Sequence, residues 1–216
     1  CIEGSSCIAI DPGESLPVKK FLEQHSLSLR AVLLTHHHPD HMEGCRDLQA
    51  PLIIGPEDSR FPFPVRQEPL FGFSILQLPG HTSSHIGFHH EKEKLLFCGD
   101  VLFGGGCGRV FEGTYLQMWE SLKTIRALDE ETLIYFGHEY TQNNLAFALS
   151  LLPDDPEIRR RYETLPAVTT PTPLALEKKT NLFLRADDPA LAAALGMEGS
   201  SPLEVFTYLR DARNRW

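Results

Sequence analysis

No apolar run in these 216 residues approaches the roughly 20 residues of a transmembrane helix, and the start shows no secretory signal pattern. A basic excess is missing as well. The formal net charge is −9, which argues against a nucleic-acid partner, because phosphate backbones attract basic surfaces. The cysteines form no CxxC pair and number five (Cys1, Cys7, Cys45, Cys98 and Cys107), so they read as free, mostly buried thiols in a reducing cytoplasm. Internal repeats and low-complexity segments are absent. What remains is ordinary: 42% hydrophobic and 23% charged residues, enough to bury a real core in one medium domain or a main domain with an appendage.

Strand and helix patterns alternate in the front part. Ile8–Ile10 reads as a strand ended by the turn signal Asp11-Pro12-Gly13, and Val18–His25 as a helix. Ala31–Leu34 and Leu52–Ile54 read as strands, residues 57–70 as an irregular loop with several prolines, and Phe71–Leu78 as a strand. Ile86–His90 and Leu95–Cys98 flank a charged turn and predict a hairpin. Tyr115–Leu128 is a helix with Met118, Leu122 and Ile125 on one face, Leu133–Phe136 a strand, and Asn144–Leu152 a helix. After Pro153-Asp154-Asp155-Pro156 helical patterns take over. Glu157–Leu165, a short helix opened by Asp188-Pro189, and a last helix behind the capping box Ser201-Pro202-Leu203-Glu204 are expected. The boundary divides the chain into 1–152 and 153–216.

Thr35-His36-His37-His38-Pro39-Asp40-His41 follows the apolar run of the second strand. In extended backbone, side chains two apart point the same way, so His36 and His38 can grip one ion while His37 points elsewhere. Asp40 and His41 can hold a second. Three further strands end in ligand-type residues: Pro79-Gly80-His81 with His85 beyond, Gly99-Asp100, and Gly137-His138-Glu139-Tyr140. One such residue after a strand is usually a turn residue; four in one chain predict a converging site. Mixed imidazole and carboxylate suits zinc, iron or manganese.

The order HxHxDH, GHT, GD, GHEYT resembles the metallo-β-lactamase superfamily. Within it, THHHPDH, GDVLFGGGCGRVFEGT, GHEYTxxNLxFA and the terminal LRDARNRW are similar to the bacterial hydroxyacylglutathione hydrolases (glyoxalase II), over nearly the whole chain. The resemblance implies an α/β fold, a four-layer αββα sandwich at 1–152 with a helical substrate-binding segment at 153–216. It implies two divalent metal ions, zinc first and iron or manganese otherwise: His36, His38 and His81 on one, Asp40, His41 and His138 on the other, and Asp100 bridging. Asp40 and Asp100 would be the catalytic carboxylates, and His37 and His85 would orient ligands or pack; His25, His89 and His90 are most simply surface or structural. The implied reaction is hydrolysis of S-D-lactoylglutathione to glutathione and D-lactate by a bridging hydroxide, in a cytoplasmic monomer with neither membrane nor nucleic acid as partner. Arg109, Phe111, Tyr140, Arg210 and Arg213 fall at the family's glutathione-binding positions, Phe111 standing where some members carry a hydrogen-bonding Tyr.

Ser84 and Val101 replace the family's commoner Gly and Thr without removing a ligand. The resemblance also implies a strand and an Asp-Asn-Tyr segment ahead of the region that begins at Cys1. A chain starting there is expected to be trimmed and to expose a sheet edge. A persulfide dioxygenase-like oxidoreductase on the same scaffold is the main rival; β-lactam or nuclease chemistry and an inactive metal-binding module are weaker ones. The complete second ligand set and the Arg210/Arg213 helix favour the thioester hydrolase.

Overall fold

A computed structural model describes residues 1–67 and 71–216. Its first sheet runs in the order β1 (Ile2–Glu3), β2 (Ser6–Ile10), β3 (Ser28–Leu33), β4 (Ile53–Ile54). Helix α1 (Ser15–His25) joins β2 to its parallel neighbour β3, and the short α2 (Pro39–Met42) and α3 (Cys45–Leu48) lie between β3 and β4. The second sheet contains β5 (Ser74–Gln77), β6 (Ile86–His90) and β7 (Leu95–Gly99), which pair antiparallel in sequence order. After a small hairpin, β8 (Leu102–Phe103) with β9 (Gly106–Cys107), and helix α4 (Tyr115–Arg126), β10 (Leu133–Phe136) joins β7 in parallel. Beyond α5 (Thr141–Leu151) and α6 (Pro156–Glu163), β11 (Thr172–Pro173) closes the far side of that sheet. Helix α7 (Leu174–Thr180), a 3-10 turn at Leu182–Arg185, α8 (Pro189–Ala194) and α9 (Pro202–Arg215) complete the chain.

Strand β3 explains the layering. Side chains alternate across a strand, and both faces of this one are buried from Ala31 onward. Ala31 and Leu33 meet Phe73, Ile86 and Phe88 of the other sheet, forming the interior of the sandwich. Val32, and Leu34 just past the strand, point outward onto Cys45 and Phe61. The outer face of the second sheet packs Leu96, Cys98 and Ile134 against Met118, Leu122 and Ile125 of α4, all at 0% exposure. Phe183, Val205, Phe206 and Leu209 from the C-terminal segment belong to that same apolar cluster, so the helical end is built into the core of the second sheet.

The expected hairpin, β10 and both capped C-terminal helices are present; Ser201 accepts from the Glu204 N–H while Glu204 accepts from the Ser201 N–H at 2.7 Å. Some boundaries differ. The strand expected at Phe71–Leu78 is confined to Ser74–Gln77, and α5 starts at Thr141, one turn before Asn144. Of the irregular loop, residues 57–67 carry a single bridge, Ile54 to Arg66, and 68–70 lie outside the described residues. The β8–β9 hairpin, β11 and α7 are not visible in the periodicity: the strands are two residues each, and α7, with its seven residues, is too short to show a helical period.

Candidate metal centre and the adjoining cavity

Neighbouring parallel strands end at the same edge of a sheet, and that is where the ligand-type residues collect. Strand β3 delivers the histidine loop, and β2, in register with it from Ile10 to Leu33, delivers Asp11. Across the sandwich β5, β7 and β10 deliver His81, Asp100 and His138.

Two sets of donors face one another. His38 Nδ1 lies 3.1 Å from His36 Nε2 and 3.0 Å from His81 Nε2. His138 Nε2 lies 3.3 Å from His41 Nε2 and 3.3 Å from Asp40 Oδ2. Asp100 touches both sets. Its Oδ2 is 3.5 Å from His81 Nε2 and 3.3 Å from His138 Nε2, and its Oδ1 is 3.3 Å from His41 Nε2. Ligands at about 2.0–2.1 Å around a tetrahedral ion stand about 3.3 Å apart, so these separations fit an ion in each set. His36, His41, His81 and Asp100 are all under 10% exposed; Asp40 is open to solvent and His138 partly so.

The tautomers are arranged for this. His81 Nδ1–H donates to the Arg109 carbonyl at 2.7 Å, leaving Nε2 to face the cluster. His41 Nδ1–H donates to Asp11 Oδ2 at 3.0 Å. His36 Nδ1 lies 3.0 Å from Thr35 Oγ1, whose hydroxyl donates to Asp11 Oδ2 at 2.7 Å. One carboxylate therefore fixes, directly or through Thr35, two rings of the cluster. Burial opposes charging His41, yet its contacts with Asp100 and Asp11 push it up to about 10. Burial likewise opposes ionisation of Asp100, and His138 and His41 reverse that, holding it below the usual carboxylate range. A proton held so firmly between carboxylates marks a place that demands positive charge. A dication can supply it and release the proton.

Asp11 was legible only as a turn residue. It adopts φ +46°, which Asp tolerates better than most side chains, and that turn swings its carboxylate under His41. The signal that could have found it is positional: an Asp directly after a strand that pairs in parallel with the histidine-bearing one. Asp11→Asn is expected to weaken metal retention by about 10–100-fold while the protein still folds. Equilibrium dialysis against a chelator checks this; unchanged affinity would remove Asp11 from the centre.

His85 and His37 take supporting places. His85 is fully buried, stacks on His36 with centroids 4.7 Å apart, and accepts the Asp100 backbone N–H at 3.3 Å. Burial lowers it to about 3, so it stays neutral. His37 points away from the cluster, as the alternation predicts. It sits between Asp58 (3.4 Å) and Glu112 (3.3 Å), carboxylates that Arg60 also joins. The Arg60 contact is the main reason Asp58 lies below the usual carboxylate range; for Glu112, burial is outweighed by Arg60 and Ser83, and it falls to about 2. Folded values below the unfolded ones give stability that is present above the unfolded value and lost as pH falls through the folded one. Wild type should therefore lose melting temperature between pH 4.5 and about 2, and Arg60→Met should lose less over that window. Superimposable acid limbs would refute it.

Beside the centre lies a cavity of about 350 Å3. His81 and Asp100 line it together with Arg109, Phe111, Tyr140, Arg210 and Arg213, so every residue expected at the substrate end faces one space. Phe111 is 60% exposed at the mouth, edge-on to His81 at 5.3 Å and under the Arg109 guanidinium at 5.8 Å. Tyr140 stacks on His138 with centroids 5.1 Å apart. Burial, then Arg210 and Arg109, lower the Arg213 value. Arg210 is buried, and its Nε has no partner among the described residues. Such crowding of guanidiniums in a chain of net charge −9 is a request for an anion.

The metallo-β-lactamase superfamily model matches residues 2–53 and 46–138, and the model for the hydroxyacylglutathione hydrolase C-terminus matches 139–216. Hydroxyacylglutathione hydrolases of Vibrio parahaemolyticus and Vibrio cholerae are 42% and 44% identical over 232 residues, covering 97% of this chain and 90% of theirs. That of Nitrobacter winogradskyi is 40% identical over 96% of this chain and 89% of its own. Among solved structures, TTHA1623 in a di-iron-bound form superposes with TM-score 0.60 at 26% identity, over 81% of this chain and 87% of that one. ETHE1 from Myxococcus xanthus gives TM-score 0.64 at 25% identity, over 96% and 80%.

Proposed function

The chain belongs to the hydroxyacylglutathione hydrolases of the metallo-β-lactamase superfamily, and from that premise we propose that it hydrolyses S-D-lactoylglutathione to glutathione and D-lactate. The observation that carries the reading is one cavity lined both by His81 and Asp100 of the His/Asp cluster and by Arg109, Arg210 and Arg213.

We assign one ion to His36, His38 and His81, one to Asp40, His41 and His138, and Asp100 to both. The donors suit zinc, iron and manganese; zinc is our reading. Two ions held there would supply a deprotonated water near neutral pH and an electrophile for the thioester carbonyl. The chain's own residues do the rest. The arginines and Tyr140 hold the anionic thiol part, which fixes the thioester at the other end of the cavity. Asp100 is under 10% exposed, so bulk water screens its charge little. The leaving thiol has a pKa of about 8.5, so its thiolate departs without a dedicated acid. Residues 153–216 contribute Arg210 and Arg213 and in this reading are the substrate-binding segment.

Metal-loaded protein should release free thiol from S-D-lactoylglutathione and take up no oxygen with glutathione persulfide. Oxygen uptake without thioester cleavage would overturn the reading in favour of the oxidoreductase, a chemistry that needs one iron rather than the second set formed by Asp40, His41 and His138.

A further inference from the structure

Two arginines of the cavity, the buried Arg210 and the half-buried Arg213, are placed by one stretch of backbone, residues 103–108. Arg210 Nη1 donates to the carbonyl oxygens of Cys107 at 2.8 Å and Gly108 at 3.4 Å. Arg213 donates from Nε and Nη2 to Asn144 Oδ1 at 3.3 Å, and Asn144 Nδ2 donates to the Gly104 carbonyl at 3.0 Å. The stretch has little regular structure of its own, only the two-residue strands β8 and β9. Its glycines let it approach its neighbours closely: a Cβ on Gly106 would stand 2.4 Å from Asn144 Nδ2.

Its anchors come from the C-terminal segment. Glu177 Oε2 accepts the Gly105 N–H at 2.8 Å. Asn181 Nδ2 donates to the Gly106 carbonyl at 2.9 Å and to Glu177 Oε2 at 3.1 Å. Both residues are at 0% exposure. The Glu177 charge is met by Arg161, itself only 8% exposed, and Thr172 Oγ1 donates to Oε1 at 2.9 Å. A buried ion pair adds little stability over apolar packing, but a fully satisfied one fixes register. Register is what a glycine stretch without side chains lacks. Asp100 is held separately, by His85 through its backbone N–H.

We propose that Glu177 and Asn181, neither of which lines the cavity, are positioning residues for its arginines, acting through the backbone of residues 103–108 on Arg210 and Arg213. The proposal rests on the glutathione reading of the cavity and deepens it. It makes the polar core between α7 and the glycine stretch a determinant of substrate preference rather than of fold alone.

The test compares two substrates with the same acyl group on metal-loaded wild type, Glu177→Gln and Asn181→Ala. One is S-D-lactoylglutathione; the other is S-D-lactoyl-N-acetylcysteamine, which has no carboxylates. Each variant should lose about tenfold or more in kcat/KM on the glutathione thioester, chiefly through KM, and stay within about twofold of wild type on the short one. Proportional losses on both substrates would reduce the network to a structural role and overturn the proposal, as would no loss on either. Should Glu177→Gln fail to fold, Asn181→Ala, which removes no charge, decides by the same ratio. Wild type that does not favour the glutathione thioester sinks the cavity reading itself, and the inference with it. The variants' ratios test the inference alone.

Discussion

Asp100→Asn should cut kcat/KM for S-D-lactoylglutathione by roughly a thousandfold, the scale seen when a preorganised electrostatic group is removed from a water-poor site. Asp100 is 6% exposed, and it is the side chain whose oxygens reach ligands of both donor sets: His81 on one side, His41 and His138 on the other. Asn has nearly the same shape, so packing against Gly137 and His85 is kept. What goes is the negative charge and one of two acceptor faces. The consequence is twofold. The cluster loses a buried carboxylate that would offset two dications, and His41 and His138 each lose a contact with it. Metal analysis of purified protein should show one ion retained poorly, and thiol release should fall with it. A variant that keeps its full metal content and its rate would show that Asp100 is a bystander.

Much of the His/Asp cluster was readable because each of its segments follows a strand. Apolar runs of β-type residues ending in His or Asp at four places define an edge without any knowledge of how the strands pair. His37 pointing away from its neighbours followed from two-residue alternation alone, and the structure finds it between Asp58 and Glu112. The partners of the ligands were not readable. Asp11 meets His41 across 30 positions, and Arg109 meets His81 through a backbone carbonyl, which carries no sequence signal. The anchoring of residues 103–106 is hidden for the same reason. Glu177 lies 72 positions from Gly105 and sits in a helix too short to show its period. Arg210 and Arg213, three apart on one helix, were visible as a pair. That Arg210 spends one nitrogen on the Cys107 and Gly108 carbonyls was not, since a guanidinium is usually read as free to meet a ligand.

Gly137→Ala should be nearly as damaging as loss of a ligand, though it removes none. Gly137 donates its N–H to the Gly99 carbonyl at 3.0 Å, where β10 shifts register against β7, so its backbone cannot easily retreat. A Cβ there would lie 2.4 Å from Asp100 Oδ1 and 2.6 Å from His41 Cε1. Neither is the loose end of a flexible chain. Asp100 is short and held at its backbone by His85, and the His41 ring is tied to Asp11. One of them must leave its place, and both hold the charge balance of the centre. Overpacking of this kind costs about 1–3 kcal/mol, a few degrees in melting temperature for a chain of this size. Activity is far more sensitive, because a displacement of about 1 Å can cost a hundredfold. We therefore expect Gly137→Ala to remain folded, to lose about a hundredfold in kcat/KM, and to bind metal poorly. Gly196→Ala is the control. Its φ of +69° makes alanine strained there, but a Cβ meets nothing within 4 Å, so it should cost stability and leave turnover unchanged. Equal activity losses in the two variants would mean that general loosening, not the position of Asp100 and His41, sets the rate.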